Sequence, residues 1–115
     1  MLRNRLRMIS WRVMKNITKW NTTGHSAIRS LGRFDCLELL QKVVLHPHRQ
    51  RQQGRGEHGG FQYAFERDFS IEAKTETLRV VAELKKSDCY LMSFYWLGRP
   101  DSDQARLAEL AMTKE

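Results

Sequence analysis

A run of histidine, arginine and glycine, HPHRQRQQGRGEHGG at residues 46–60, contains the residue types best suited to chemistry in this sequence. Arginine offers fixed pairs of donors to phosphate, and histidine moves a proton near neutral pH. Together they favour RNA binding or phosphodiester cleavage, in which a base takes the 2′-hydroxyl proton while cations stabilise the phosphate. Four glycines let a backbone approach a ligand closely. The candidate side chains are Arg49, Arg51, Arg55, His46, His48 and His58.

The same run has two other interpretations. It contains almost no apolar residue, which is typical of a solvated, mobile loop without a function. The three histidines are also a possible metal site, but no nearby cysteine completes a usual ligand set. We select His58 as the candidate general base, and we expect no metal and no cofactor.

The N-terminal sequence MLRNRLRMISWRVMKNITKW is basic, with six Arg or Lys and no Asp or Glu. Its apolar residues recur every three or four positions, which predicts a basic amphipathic helix within residues 1–22. The candidate nucleic-acid-binding residues in this helix are Arg3, Arg5, Arg7, Trp11, Arg12, Lys15 and Lys19.

Four roles are open for this basic helix. It packs on a core with its cations outward, or it binds nucleic acid while Trp11 stacks on bases. It is alternatively an organellar transit segment, or a helix on an anionic membrane surface. Residues 1–34 hold eight of the 20 cations and no acid, so the net charge of +7 belongs to this segment. This asymmetry favours a localised polyanionic partner such as RNA.

The elements that must position these residues follow from periodicity. Asp35 and Glu38 form a capping-box pattern, which predicts a second helix that Pro47 ends. Residues 61–97 contain three runs with short connections, of which the first two alternate between apolar and polar and the third, Cys89–Leu97, is apolar on both faces. Three such runs predict an antiparallel meander. A last helix is predicted over residues 101–113.

The expected fold is therefore a single small α+β domain over residues 1–115. Its N-terminal helices pack on a three-stranded antiparallel sheet, and a helix ends the chain. In this arrangement Arg79 and Lys85 lie on the polar side of their strand and join Arg99 in a basic surface. Pairing with glutamates across the strands is the alternative for these cations.

Cys36 and Cys89 stand in no metal-binding or redox spacing, and no apolar run is long enough to span a membrane. Two lone thiols fit the reducing cytoplasm, which is the expected location. An organelle is the alternative, if the acid-free N-terminus is a transit segment.

Three stretches in and directly after the predicted meander, Glu76–Ala82, Cys89–Leu91 and Gly98–Asp103, resemble the RelE/HigB superfamily of small toxins. These toxins are ribosome-linked mRNA endonucleases that are usually paired with an antitoxin. The resemblance implies helices followed by an antiparallel sheet, an RNA substrate and an antitoxin or other acidic protein as partner. Arg79 matches the family by position, whereas Arg99 is only a basic residue in a nearby place. The Thr-His and Tyr-Asp that usually follow the last strand in the HigB branch are missing here.

The leading hypothesis is a small basic protein that interacts with RNA, as a toxin-like endoribonuclease with His58, Arg79 and Arg99 as catalytic residues. The alternative is a non-catalytic inhibitor of phage or plasmid type, which docks its basic helix on an acidic protein surface. The RNA hypothesis requires cations gathered on one surface. Guanidinium groups that are dispersed, or paired with carboxylates, count against it.

Overall fold

The computed structural model of the protein describes residues 17–22 and 37–114. Five strands in this part of the chain form one sheet, in the order β1-β5-β4-β3-β2. Strands β2 to β5 pair antiparallel, whereas β1 pairs parallel to β5. The elements are β1 (Lys19–Thr22), α1 (Leu37–Leu45), β2 (Arg49–Arg55), β3 (Phe61–Ile71), β4 (Lys74–Lys85), β5 (Asp88–Trp96) and α2 (Asp101–Lys114).

Both described helices pack on the same face of this sheet, because alternation along the strands turns one apolar row toward them. Phe65 and Phe69 of β3 belong to that row, and Val80 of β4 pairs directly with Phe65. These residues form one buried cluster with residues of both helices: Leu39, Leu40, Val43 and Val44 of α1, and Leu107, Ala108 and Ala111 of α2. We call this side of the sheet the helix face and the opposite side the outer face.

The prediction of N-terminal helices on a three-stranded antiparallel sheet is wrong. The predicted strands exist as β3, β4 and β5, but they are the centre of a five-stranded mixed sheet. Residues 46–60 are not one loop, since β2 spans Arg49–Arg55 and only the hairpin loop 56–60 remains. The sequence of β2, RQRQQGR, has no apolar alternation because this edge strand is almost entirely exposed. Backbone pairing with β3 holds it in place.

The predicted helix over residues 1–22 is also wrong where the structure describes it, because Lys19–Thr22 is a strand. The backbone N–H of Thr18 donates to the Ser87 carbonyl at 2.9 Å, and the pairing continues to Leu91. Trp20 packs against the core, so its spacing from Ile17 reflects burial and not a helical turn. Residues 1–16 lie outside the described residues, as does the predicted cap at Asp35.

The predicted helices at the two ends of the meander are confirmed. Helix α1 ends at Leu45, two residues before Pro47, which cannot continue a helix. Helix α2 begins at Asp101, and its Gln104 side chain accepts a hydrogen bond of 2.9 Å from the Trp96 backbone N–H. With nine and 14 residues, neither described helix is long and apolar enough to cross a membrane.

Candidate functional site on the outer face

The strand register lays three rows of side chains across the outer face. A bulge at Met92 shifts the pairing of β5, so that Tyr90 and Ser93 both point to this face. The rows are Gln62, Glu83 and Tyr90, then Ala64, Val81 and Ser93, then Glu66, Arg79 and Tyr95. Two rows with charged residues are thus separated by a row of small side chains. Glu83 and Arg79 lie four residues apart on β4, or about 13 Å along the strand.

Glu83 is a fully buried carboxylate, because the 56–60 loop folds over it. Its Oε2 accepts hydrogen bonds of 2.8 Å from the backbone N–H groups of both His58 and Gly60. A hydrogen bond of 2.9 Å from the Gly56 N–H to the Gly60 carbonyl closes the loop. A Cβ atom at Gly56 would collide with the Glu83 carboxylate, and one at Gly60 with the Leu84 carbonyl. The glycines therefore permit the close approach that buries Glu83.

The imidazole of His58 lies on this carboxylate. Its Nδ1 is 2.9 Å from Glu83 Oε1, and its ring stacks on Tyr90 with centroids 3.9 Å apart and planes 7° from parallel. Burial raises the pKa of Glu83, but hydrogen bonds from the His58 side chain, Gly60 and His58 N–H outweigh it and hold that pKa below its usual value. About a third of the His58 side chain, 34%, is open to solvent. The described residues give His58 Nε2 no hydrogen-bond partner.

Two further donors lie next to the loop and next to Tyr90. The Lys85 ammonium lies over Gly59, because a Cβ atom at Gly59 would be 3.4 Å from Lys85 Nζ. Asn21 of β1 is paired with Tyr90, and its Nδ2 is buried without a hydrogen-bond partner. We call His58, Glu83, Tyr90, Lys85 and Asn21 the His58 site.

The sequence indicates His58 and Lys85 as candidates but gives no sign that Glu83, Tyr90 and Asn21 belong to the site. Glu83 occupies a polar position of an alternating strand, where it resembles an ordinary exposed carboxylate. Its partner His58 is 25 residues away in the chain, and only the hairpin register brings the two together. No local sequence signal distinguishes this pair.

The other end of the outer face is an ion-pair network of Arg49, Glu66, Asp68 and Arg79. Arg79 Nη2 lies 2.6 Å from Glu66 Oε2, and Arg79 Nη1 donates to Tyr95 Oη at 2.7 Å. Arg49 bridges the two acids, at 3.0 Å from Glu66 Oε1 and 2.5 Å from Asp68 Oδ1. Each of these guanidinium groups already contacts a carboxylate.

These contacts keep the network charged at neutral pH. The hydrogen bond from Arg49, followed by that from Thr77, lowers the pKa of Asp68 to about 2. Burial raises the pKa of Glu66, but hydrogen bonds from Arg49 and Arg79 outweigh it and lower that pKa. The hydrogen bond to Glu66 raises the pKa of Arg79.

The structure does not bring the three predicted catalytic residues together. Arg79 lies in the ion-pair network, too far along β4 to share one phosphate group with His58. Arg99 lies after β5 and donates through Nε to Glu76 Oε1 at 3.1 Å, which raises the pKa of Arg99. Glu76 is on the helix face near the β3–β4 turn, seven residues along β4 from Glu83.

The predicted nucleic-acid-binding residues divide into three groups. Arg49 is ion-paired, as described above. Arg51, Arg55 and Lys19 are exposed, and neither arginine has an acidic partner among residues 17–22 and 37–114; Arg55 instead lies 5.7 Å from the Phe61 ring centroid. The remaining candidates, Arg3, Arg5, Arg7, Trp11, Arg12 and Lys15, lie outside the described residues.

The three histidines of the 46–60 run are not one cluster. His48 lies at the opposite end of β2 from His58, where its Nδ1 accepts a hydrogen bond of 3.0 Å from the Asp68 N–H. His46 follows α1 and is exposed. In the part of the chain that the structure describes, no three His, Cys, Asp or Glu side chains are grouped to hold a metal ion. Cys89 is a buried free thiol, and burial raises its pKa to about 12, so it is a poor nucleophile.

The described strands carry almost balanced charge on the outer face. The cations are Lys19, Arg49, Arg51, Arg79 and Lys85, and the carboxylates are Glu66, Asp68, Glu83 and Asp88. The excess of positive charge in the sequence belongs to residues 1–34, and β1 is the described part of that segment. Because β1 pairs with β5 and Asn21 lies opposite Tyr90, this described part of the segment lies next to the His58 site.

Comparison with known proteins finds no protein-family model, no curated protein and no solved structure that matches this chain.

Proposed function

We propose that this protein acts on RNA, as a small endoribonuclease whose proton-transfer group is His58. The observation that carries the proposal is the position of His58. Its imidazole is held between a buried carboxylate and an aromatic ring, yet a third of it, 34%, remains open to solvent. Histidine is the side chain best suited to accept and return a proton near neutral pH.

The chemistry that fits this site is attack by the 2′-hydroxyl of RNA on the adjacent phosphate. His58 accepts the 2′-hydroxyl proton as the 2′-oxygen bonds to phosphorus. The bond from phosphorus to the 5′-oxygen breaks, and that oxygen takes a proton from water. The products are a 2′,3′-cyclic phosphate and a free 5′-hydroxyl, and His58 returns its proton to solvent. The Lys85 ammonium supplies positive charge for the phosphate oxygens as negative charge grows on them.

The attraction for RNA in this proposal comes mainly from residues 1–34, which hold eight cations and no acid. Strand β1, the described part of this segment, lies beside Tyr90 at the His58 end of the sheet, and its exposed Lys19 is a cation on the outer face. The exposed Arg51 on β2 adds a cation on the same face. Arg49, Arg79 and Arg99 contribute less, because carboxylates already occupy their donors.

The test uses the full-length chain with a 5′-labelled single-stranded RNA of mixed sequence and a DNA of the same sequence. We expect RNA affinity to fall steeply between 50 and 300 mM salt, by a log–log slope of about 0.7 for each phosphate contact. We expect cleavage of RNA but not of DNA, which lacks the attacking 2′-hydroxyl. The variant His58→Ala should cut RNA at least about 100-fold more slowly.

His46→Ala is the matched control, because His46 is exposed and none of the described hydrogen bonds uses its side chain. It should cut at the wild-type rate. Affinity that ignores salt, or cleavage that survives His58→Ala unchanged, would contradict the proposal.

A non-catalytic interaction protein is the second candidate, and one observation favours it. Arg49, Arg79 and Arg99 are all paired with carboxylates, which leaves fewer cations for phosphate than the sequence predicts. In this case the basic segment of residues 1–34 docks on an acidic protein surface. Salt-independent or absent RNA binding in the same titration would favour this candidate over the first.

We also propose a toxin-like role, with an antitoxin or other acidic protein as partner. The support for this role is the resemblance of Glu76–Ala82 and Cys89–Leu91 to the RelE/HigB toxins. The cytoplasm is the proposed location, because the free thiol of Cys89 fits a reducing compartment. Import into an organelle is the alternative, and a mature form beginning near residues 24–34 would indicate it.

A further inference from the structure

We infer that Glu83 is a positioning residue, which fixes the His58 imidazole with its proton on Nδ1 and so makes Nε2 the nitrogen that exchanges protons with substrate. The inference rests on the proposed function for the identity of that substrate. The position of the proton itself is a property of the free protein and is measured separately.

The proton position follows from the chemistry of the two groups. Glu83 Oε1 lies 2.9 Å from His58 Nδ1, within hydrogen-bond distance. An ionised carboxylate only accepts hydrogen bonds, so Nδ1 must be the donor. Hydrogen bonds from His58 and Gly60 keep the pKa of Glu83 below its usual value in spite of burial, so this carboxylate is ionised at neutral pH. A neutral imidazole whose proton is on Nδ1 has a lone pair on Nε2.

Three contacts hold His58 in place against Glu83 and Tyr90. The His58 backbone N–H donates to the same carboxylate, at 2.8 Å from Oε2, so the main chain and the ring share one anchor. Tyr90 stacks on the ring at 3.9 Å, which restricts rotation about the Cβ–Cγ bond. The Gly56 to Gly60 hydrogen bond of 2.9 Å closes the loop behind it.

The contact between the two side chains goes beyond what is needed to hold the loop. The backbone donors of His58 and Gly60 alone bind the buried carboxylate to the loop. The imidazole adds a third bond, from a side chain that is 34% exposed to a carboxylate with no exposure. A carboxylate that orients an imidazole in this way sets which nitrogen is free for catalysis.

The first measurement needs no variant. Nitrogen-15 NMR of the folded protein at a pH where His58 is neutral reports which ring nitrogen carries the proton. We expect the proton on Nδ1 in the wild type, and a mixture of both forms in Glu83→Gln, because an amide either donates or accepts. A wild-type His58 with its proton on Nε2 overturns the inference, and this result does not depend on whether the variant folds.

The second measurement is RNA cleavage by Glu83→Gln, with Glu57→Gln as the matched control. Glu57 lies beside His58 in the same loop but is exposed and makes none of the described contacts with Glu83. We expect Glu83→Gln to lower kcat at least about tenfold with KM changed less than about twofold, because its effect is on proton transfer and not on RNA affinity. Glu57→Gln should keep the wild-type kcat.

The two measurements separate failure of the inference from failure of the proposed function. A wild-type kcat in folded Glu83→Gln overturns the inference while the endoribonuclease stands. A wild-type protein that cuts no RNA but carries the His58 proton on Nδ1 overturns the proposed function and supports the positioning of the imidazole.

Discussion

The carboxylates at the two charged ends of the outer face are bound by different kinds of hydrogen-bond donor. At the His58 site, Glu83 is fully buried and is bound by two backbone N–H groups and one imidazole. In the ion-pair network, Glu66 and Asp68 are partly exposed and are bound by guanidinium groups of Arg49 and Arg79. Both ends lie on the same strands, so the difference comes from the glycine loop that covers only one of them.

This difference decides which end is suited to chemistry. In the network each cation is neutralised by an adjacent acid, and water reaches the groups that remain, so the net interaction energy is small. At the His58 site the buried carboxylate cannot exchange partners with water, and it holds a side chain that still reaches solvent. A fixed, partly open histidine is a better candidate for proton transfer than a set of mutually satisfied ions.

The largest effect that we expect from a change at either end is from Glu83→Ala. It should lower the free energy of unfolding by about 3 kcal/mol, because the donors of His58 and Gly60 lose their acceptor in a buried place. Glu66→Ala, the matched change in the network, should cost about 1 kcal/mol or less, because Arg79 and Arg49 turn to water. Urea unfolding at neutral pH measures both values. If both variants lose the same free energy of unfolding, the loop over Glu83 makes no energetic difference between the two ends.

The sequence predicts the central strands well and the edges poorly, for a physical reason. Strands β3 and β4 bury one side, so their residues alternate, and the sequence of α1 has a capping-box pattern before it and Pro47 after it. Strand β2 buries almost nothing, and it is held by backbone hydrogen bonds that leave no mark on its side chains. Strand β1 has only four residues, too few to distinguish a strand from the end of a helix.

The candidate site was predictable only in part. The residue types of the 46–60 run favour proton transfer, and they predict His58 as the general base. The partner carboxylate was not predictable, because its burial depends on the register of β3 with β4 and on a loop that closes over one end. Pairing of Arg79 with Glu66 was open as an alternative, since both are polar residues of alternating strands, and the structure shows that pairing.

A second, smaller effect is the loss of stability that we expect at acid pH. The pKa of Asp68 falls from 3.8 to about 2 on folding because Arg49 and Thr77 donate to its carboxylate. A carboxyl group with a lowered folded pKa stabilises the protein above its unfolded pKa, and the contribution disappears as pH falls through the folded value. We therefore expect wild-type protein to be more stable than Asp68→Asn at pH 5, with the difference shrinking as pH falls from 3.8 to 2.

This measurement compares free energies of unfolding for the two proteins at each pH. Acids outside the network, such as Glu83, contribute equally to both proteins and cancel in the difference. Glu66 shares Arg49 with Asp68, so its contribution is part of the network effect that the difference reports. A difference that stays constant down to pH 2 would mean that the network does not hold Asp68 in its charged form.

The smallest effect that we expect is a difference in stability between two matched substitutions, one at each of two tyrosines. Tyr90 stacks on His58 with centroids 3.9 Å apart, whereas Tyr95 is 37% exposed and lies 5.5 Å from the Arg79 guanidinium. Tyr90→Leu removes a stacked pair worth about 1 kcal/mol. Tyr95→Leu removes an exposed cation–π contact and one hydrogen bond that water replaces, together worth about 0.5 kcal/mol.

Urea unfolding of both leucine variants tests this order directly. Leucine keeps an apolar side chain on each strand, so the comparison isolates the ring contacts from the packing of the sheet. If Tyr95→Leu proves as costly as Tyr90→Leu, the ring beside His58 is held no more firmly than one in the open network. His58 would then lack the restraint from Tyr90 that keeps one edge of its imidazole on Glu83.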